Sequence, residues 1–283
     1  MTTTATPDQH ALPDPGVLAA FRSELLKLRS VRSTGCMLAV AVALTALLSL
    51  LNAHDQYLQG ASYVSAGPGA VGSPYAMVVS ARVDPTGTML SGCVVGAVLF
   101  AAFGAITGAL EYSSGMIRIS LAAVPRRSRF FLSKAAAVAA AAATAAAACT
   151  LVCFLVGEAF FHNQPQNSAT LASPGVPVHL AGAVVCLTGW AMIGFAFGML
   201  LRSTALGVTV SFVLYIAAPL VAESIDSTLA NSVTPLQTGQ ALWTYNSPLN
   251  PEIAPFGTAL VVFLAYVIVL GGVAIARVGL TDA

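Results

Sequence analysis

Charged residues are scarce in this sequence. Asp, Glu, Lys and Arg make up only 8% of its 283 residues, whereas an average soluble domain contains about 25%. So little charge cannot cover a surface that faces water, which excludes an ordinary cytosolic enzyme and a disordered chain. The formal net charge of +1 gives no reason to expect a nucleic acid or another polyanion as partner. Because 57% of the residues are hydrophobic, the composition is that of an integral membrane protein.

Recognisable catalytic and metal-binding motifs are also missing. The only lysines, Lys27 and Lys134, follow no glycine-rich turn, so the chain cannot hydrolyse ATP through a phosphate-binding P-loop. It contains no G-x-S-x-G, H-E-x-x-H or C-x-x-C pattern, and its four histidines are scattered along the sequence. We therefore expect no enzymatic activity, no catalytic residue, no metal site and no cofactor bound by this chain.

Six apolar segments are present, and each is about long enough to cross a bilayer. The hydrocarbon core is about 30 Å thick and requires about 20 apolar residues in a helix. The segments cover approximately residues 35–51, 88–110, 135–161, 178–201, 203–222 and 256–276. The sequence therefore predicts an all-α, polytopic membrane protein with six transmembrane helices.

The few basic residues predict the orientation of these helices. If the six segments alternate in direction, 11 of the 12 Lys and Arg residues fall on one side of the membrane, and only Arg82 falls on the other. Cytoplasmic loops carry an excess of basic residues. We therefore expect both termini in the cytoplasm. An odd number of spans would destroy this segregation.

The polar segments divide the chain into three parts. Residues 1–14, rich in Thr, Pro and Asp, are typical of a disordered cytoplasmic tail. Residues 15–34 predict an amphipathic helix on the inner surface of the membrane, because Leu18, Phe21, Leu25 and Leu28 form one apolar stripe with basic neighbours. The alternative is a plain basic flank that orients the first span. Residues 35–283 form the six-helix transmembrane domain, which includes a cytoplasmic loop at 111–134.

A short helix is predicted inside the 111–134 loop. Ile117, Leu121 and Val124 share one helical face, and Pro125 would end the helix. This apolar face with a basic rim suits docking into the groove of a partner protein. On periodicity alone, a helix that simply lies on the membrane surface is the favoured interpretation.

No Asp, Glu, Lys or Arg residue lies near the middle of any apolar segment. Glu158 comes nearest, but it lies about 35 Å along its helix from Ala135 and therefore close to the outer surface. It is a possible outer gate or substrate contact, or a hydrated residue of the interface. Ion-coupled carriers usually place such residues in mid-membrane, so we expect the energy for transport to come from another chain.

Glycines recur at intervals of four residues on two of the apolar segments. This spacing lets helices approach closely, so these residues are candidates for helix or subunit packing, although chance could produce any single pair in a chain so rich in glycine. They are Gly92, Gly96, Gly104 and Gly108 on the second segment, and Gly194 and Gly198 on the fourth.

Several stretches resemble the permease subunits of type-2 ATP-binding-cassette (ABC) exporters, especially the half-size bacterial ones. The resemblance extends over nearly the whole chain from about residue 17, and the stretches that carry it follow in the family's order. They are residues 23–33 before the first span, 111–127 with Lys134 in the inner loop, 198–205 at an inner turn, 239–241 before the last span, and the terminal Asp282 and Ala283.

This resemblance implies the permease of an ABC exporter in the bacterial cell membrane. In that family, a separate ATPase subunit binds ATP and Mg²⁺, and a coupling helix of the permease seats on it. Two permease subunits, identical or different, form the pathway within the lipid bilayer. The alternative is a stand-alone secondary transporter or channel. Carried over to this chain, the residues expected at the ATPase contact are Glu111, Gly115, Met116, Ile117, Arg118, Leu121, Val124 and Arg202.

Overall fold

The computed structural model describes residues 17–30, 32–66, 84–113, 127–161, 169–224, 232–244 and 254–281. Within these ranges the chain is helical, and no β-strand occurs. The described helices are α1 (Val17–Ser30), α2 (Arg32–Ala66), α3 (Pro85–Met89), α4 (Cys93–Ser113), α5 (Arg127–Phe161), α6 (Val176–Leu201), α7 (Thr204–Ser224), α8 (Pro235–Ala241) and α9 (Phe256–Thr281).

Six of these helices are long and apolar enough to cross a membrane. Their candidate spans are Arg32–Asp55, Cys93–Leu110, Phe130–Phe161, Val176–Leu201, Thr204–Ala222 and Phe256–Arg277. They fall on α2, α4, α5, α6, α7 and α9. The prediction of an all-α, multi-pass membrane protein with six spans is confirmed.

The helices α2 and α5 extend well beyond their apolar segments. The sequence places the end of the first span near residue 51, but α2 continues to Ala66; α5 begins at Arg127, before the alanine-rich run. Hydropathy marks the part of a helix that matches the bilayer, whereas helical hydrogen bonding does not depend on hydropathy and continues through polar residues. The connection between the first two spans is therefore partly helical.

The bundle is organised around α6. This helix packs most extensively against α4 and also contacts α5, α7 and α9. Large side chains fill the space around it, and Phe100, Trp190, Phe195 and Phe263 are all almost fully buried. In contrast, α2 and α9 expose rows of Val, Leu and Ile, which is the surface expected where helices face lipid rather than water.

Two connections on the fourth to sixth spans agree with the sequence. A tight turn at Arg202 and Ser203 makes α6 and α7 antiparallel neighbours, as their short separation predicts. Residues 236–245 of the sequence predict a short helix before the last span, and α8 occupies Pro235–Ala241. Its first turn is capped by the Thr234 hydroxyl, which accepts a hydrogen bond from the backbone N–H of Gln237 at 3.3 Å.

Candidate functional site

One end of the bundle gathers the basic residues of three described segments. The ring of Phe131, near the start of α5, lies 5.4 Å from the ring of Phe195, near the end of α6. The start of α5 is therefore beside the end of α6, which carries Arg202. Lys134 lies one turn further along α5, next to α1. Together with α1, Lys134 and Arg202 mark the basic end of the bundle.

A buried ion pair joins α1 to α5 at the basic end. The Lys134 ammonium lies 4.0 Å from one carboxylate oxygen of Glu24, and both side chains are less than 10% exposed. The other oxygen of Glu24 accepts a hydrogen bond from the more exposed Lys27 at 2.5 Å. Lys134 also lies near the ring of Phe130. A charge buried this deeply is tolerated because it has opposite charge and hydrogen bonds close by.

The helix α1 therefore packs against the first span of the chain and also against α5. Leu28, from its predicted apolar stripe, is half-buried against the core, while Leu25 stays 37% exposed. Glu24, a charged residue, is more buried than either. The position of α1 is consequently fixed by a polar contact as well as by its leucines.

A second contact joins the end of α4 to the turn between α6 and α7. The guanidinium carbon of Arg202 lies 5.3 Å from the ring centre of Tyr112, within the range of a cation–π interaction. Arg202 has a left-handed backbone with φ of 52°, and its N–H bonds to the carbonyl of Gly198 to close α6. This is a helix C-cap geometry that usually selects glycine.

Two substitutions at Arg202 should distinguish the contribution of its side-chain contact to stability from the cost of its left-handed backbone. Arg202→Ala loses the contact with Tyr112 and keeps the left-handed strain, so we expect a loss of about 1 kcal/mol. Arg202→Gly also loses the contact but relieves the strain, and it should be the more stable of the two by about 1 kcal/mol. Thermal unfolding of both purified variants measures this order. If the alanine variant is as stable as the glycine variant, the left-handed backbone at position 202 is not strained.

The predicted coupling helix lies outside the described residues. This applies to Gly115, Met116, Ile117, Arg118, Leu121 and Val124, whose proposed role stays a prediction. Glu111 belongs to α4, but its side chain is not among the parts of the chain that the structure describes. The structure does place both flanks of the 114–126 segment: Tyr112 precedes it and contacts Arg202, and Lys134 follows it and contacts Glu24.

The glycines of α4 and α6 lie where these two helices meet. A Cβ atom added at Gly104 would overlap the carbonyl oxygen of Ala191, and one added at Gly194 would overlap that of Ala101. Further along, Gly108 faces the carbonyl of Phe195, and Gly198 faces that of Ala105. The two backbones are in contact over several turns, which only residues without side chains permit.

The first two glycines of the α4 series face a different neighbour. Gly92 lies against the backbone of Thr45 on α2, and its N–H donates a hydrogen bond to the Ser49 hydroxyl at 3.0 Å. Gly96 lies between the Thr45 side chain and Leu187 of α6. Thus the glycine series contacts α2 at one end and α6 at the other, and these contacts join helices of the same chain.

Glu158 lies at the opposite end of the bundle from Lys134. It is half-buried in the last turn of α5, next to Gly157, which packs against Met89 of α3. No group of three or more His, Cys, Asp or Glu side chains in the described part of the chain is placed to hold a metal ion. Nothing in this arrangement assigns Glu158 a ligand.

The ion pair between Glu24 and Lys134 is the contact that the sequence reasoning missed. Two signals for it were present. Glu24 is the one acidic residue among the basic residues before the first span, and Lys134 immediately precedes an apolar run that leaves it little access to water. A lone acid and a lone base at such positions favour each other as partners.

Comparison with known proteins adds no assignment: no protein-family model matches the chain, and no curated protein matches its sequence.

Proposed function

We propose that this chain is the membrane-spanning permease subunit of an ABC exporter, driven by a separate ATPase subunit in the bacterial cell membrane. Its six apolar helices fit a membrane transport protein. The observation that carries the more specific proposal is the way the two flanks of residues 114–126 are held. One flank is tied to α1 by Glu24 and Lys134, and the other to the α6–α7 turn by Tyr112 and Arg202.

This arrangement would transmit force from a partner to the bundle. A protein that pushes on the segment 114–126 moves the end of α4 and the start of α5. Because these helix ends are anchored to α1, α6 and α7, the movement spreads through packed helices rather than being absorbed in a loop. Rigid elements moving against one another are what alternating access requires.

The lack of charged residues in the spans supports the proposal that another chain supplies the energy for transport. No Asp, Glu, Lys or Arg lies near the centre of a span in the sequence, and such charged residues are the usual relay in ion-coupled carriers. An ATPase docked at the basic end would supply the energy instead. A second permease subunit, identical or different, would cover part of the exposed aliphatic surface of α2, α7 or α9 and complete the pathway.

Association with an ATPase subunit tests the proposal directly. The chain is coexpressed with candidate P-loop ATPases, beginning with any encoded beside it, and purified through a tag on the chain. We expect one ATPase to co-purify. Leu121→Asp should abolish this association, because a carboxylate would be buried in an apolar groove without a partner. The measurement is the ratio of ATPase to permease in the eluate.

A matched control places the same change at the other end of the bundle. Leu171 is 49% exposed in the connection before α6, so Leu171→Asp introduces the same charge without touching the proposed docking loop. The ATPase should still co-purify with this variant. If no ATPase associates and the reconstituted protein instead moves a solute down an ion gradient, the chain is a secondary transporter or channel and the proposal is wrong.

A further inference from the structure

A groove of about 560 Å³ opens on the side of the bundle between α1, α2 and α5. Each helix contributes one wall: leucines from α1, the first turns of α2, and the alanine-rich face of α5. Residues that line it include Leu25, Leu28, Thr34, Gly35, Leu38 and Ala141.

The groove presents mainly hydrocarbon to its occupant. Thr144, one of its two lining threonines, hydrogen-bonds to the carbonyl oxygens of Ala140 and Ala141 on its own helix, at 3.0 and 2.9 Å. The Thr144 hydroxyl therefore already has hydrogen-bond partners on its own helix. The other, Thr34, is almost fully buried in the wall. Such a surface gains most from an aliphatic chain that needs no hydrogen bond.

Basic residues lie close in sequence to the groove-lining residues of α1 and α2. Arg22 and Arg32 are exposed, on α1 and at the start of α2. Lys27 lies between the groove-lining residues Leu25 and Leu28 in the sequence and is about half exposed. Glu24 is the only acidic residue of α1, and its carboxylate lies against two lysines. The local charge is thus positive, which attracts anionic headgroups at a membrane surface.

We propose that this groove binds one acyl chain of an anionic phospholipid, whose headgroup lies against the basic residues of α1 and the first turn of α2. The six spanning helices place lipid chains around the bundle, and the helices α1 and α2 that supply aliphatic walls of the groove also carry exposed basic residues. The proposal does not depend on an ATPase partner, so it stands or fails separately from the proposed transport function.

Native mass spectrometry of the purified full chain tests the proposal. The probes are dioleoyl phosphatidylglycerol, which is anionic, dioleoyl phosphatidylcholine, which is zwitterionic with the same chains, and glycerol phosphate, which has no chain. We expect saturable binding of phosphatidylglycerol, weaker binding of phosphatidylcholine, and no competition by glycerol phosphate. Replacing Arg22 and Arg32 by glutamine should remove most of the preference for phosphatidylglycerol.

Filling the groove provides the decisive variant. A Cβ at Gly35 meets no atom within 4 Å, so the side chain of Gly35→Leu enters the open space without displacing backbone. Binding of phosphatidylglycerol should weaken about tenfold, the loss expected when about two methylene groups are no longer buried. Gly257 on α9 is equally open, and Gly257→Leu should bind as the unchanged protein does. Ala141→Leu, from the opposite wall, should repeat the effect of Gly35→Leu.

Four results would overturn the proposal. The first is unchanged phosphatidylglycerol binding in both Gly35→Leu and Ala141→Leu. The second is equal binding of the two phospholipids by the unchanged protein. The third is competition by glycerol phosphate, which would assign the basic residues to a free anion. The fourth is loss of an oligomer in Gly35→Leu, which would assign the groove to a second copy of the chain.

Discussion

Gly104→Ala should destabilise the protein by at least about 3 kcal/mol, although it adds a single methyl group. The Cβ atom would overlap the carbonyl oxygen of Ala191 on α6. That oxygen belongs to the backbone of a helix, so the overlap is relieved only by moving α4 away from α6. Such a movement also separates the neighbouring contacts of Gly108, Gly194 and Gly198. Close-packed interiors have no free space that would absorb it.

The measurement is the apparent melting temperature of purified protein in detergent, followed by size-exclusion chromatography of heated samples. Gly271→Ala is the matched control, because a Cβ at Gly271 on α9 meets no atom within 4 Å. Alanine is preferred to glycine in a helix by about 1 kcal/mol, so this variant should be at least as stable as the unchanged protein. Equal melting temperatures for Gly104→Ala and Gly271→Ala would show that α4 and α6 are not in backbone contact.

The glycine series also shows where sequence reasoning reaches its limit. Four residues advance an α-helix by about 400°, which is about 40° more than a full turn. A series at this interval therefore winds around the helix instead of staying on one face. Over the length of α4 it passes from α2, which Gly92 contacts, to α6, which Gly108 contacts. The sequence indicates that close contacts exist, but the identity of each neighbour depends on the packed bundle.

Features that depend on local sequence were predicted well. The number of spans follows from the length of the apolar segments, and the α6–α7 hairpin from their short separation; α8 overlaps the short helix predicted within residues 236–245. The end of α2 was predicted less well, because hydropathy reports burial in lipid and not the end of helical hydrogen bonding. The role of residues 116–124 stays a prediction from their spacing and their resemblance.

Long-range polar contacts could not be predicted in the same way. The spacing of Glu24 and Lys27 on one helix already indicates a local pair. The partnership of Glu24 with Lys134 arises only when α1 packs against the start of α5. The alanines that follow Lys134 let α1 pack closely against α5, because the small side chains of Ala137 and Ala141 do not hold the two helices apart. Charge and small side chains thus cooperate, and neither pattern alone identifies the pair.

Glu24→Ala should lower the free energy of unfolding by about 3 kcal/mol. The substitution removes a carboxylate that lies against the buried ammonium of Lys134, 4.0 Å away. Lys134 is 8% exposed and cannot recover the lost interaction by moving into water without opening the contact between α1 and α5. Lys27→Ala is the control. It removes the other partner of Glu24, but Lys27 is 49% exposed, and exposed ion pairs contribute only about 0.2–1 kcal/mol.

A double substitution distinguishes the contribution of the ion pair to stability from that of side-chain packing. Glu24→Leu with Lys134→Met replaces both charges by apolar side chains of similar size, and such replacements of buried pairs are often close to neutral. We expect the double variant to be more stable than either single variant, and its deviation from additivity measures the interaction energy of the pair. Additive single effects would mean that the two groups do not interact, and the anchoring of α1 to α5 would then rest on its leucines alone.

The double variant also tests whether this anchor transmits force. If it restores stability and still associates with the proposed ATPase subunit, any remaining loss of the proposed ATP-dependent transport is due to the missing charge pair and not to unfolding. We expect such a loss, because an aliphatic contact lets α1 slide along α5, whereas an ion pair with a hydrogen-bonded carboxylate fixes one relative position. Full transport by the stable double variant would limit the role of Glu24 and Lys134 to folding.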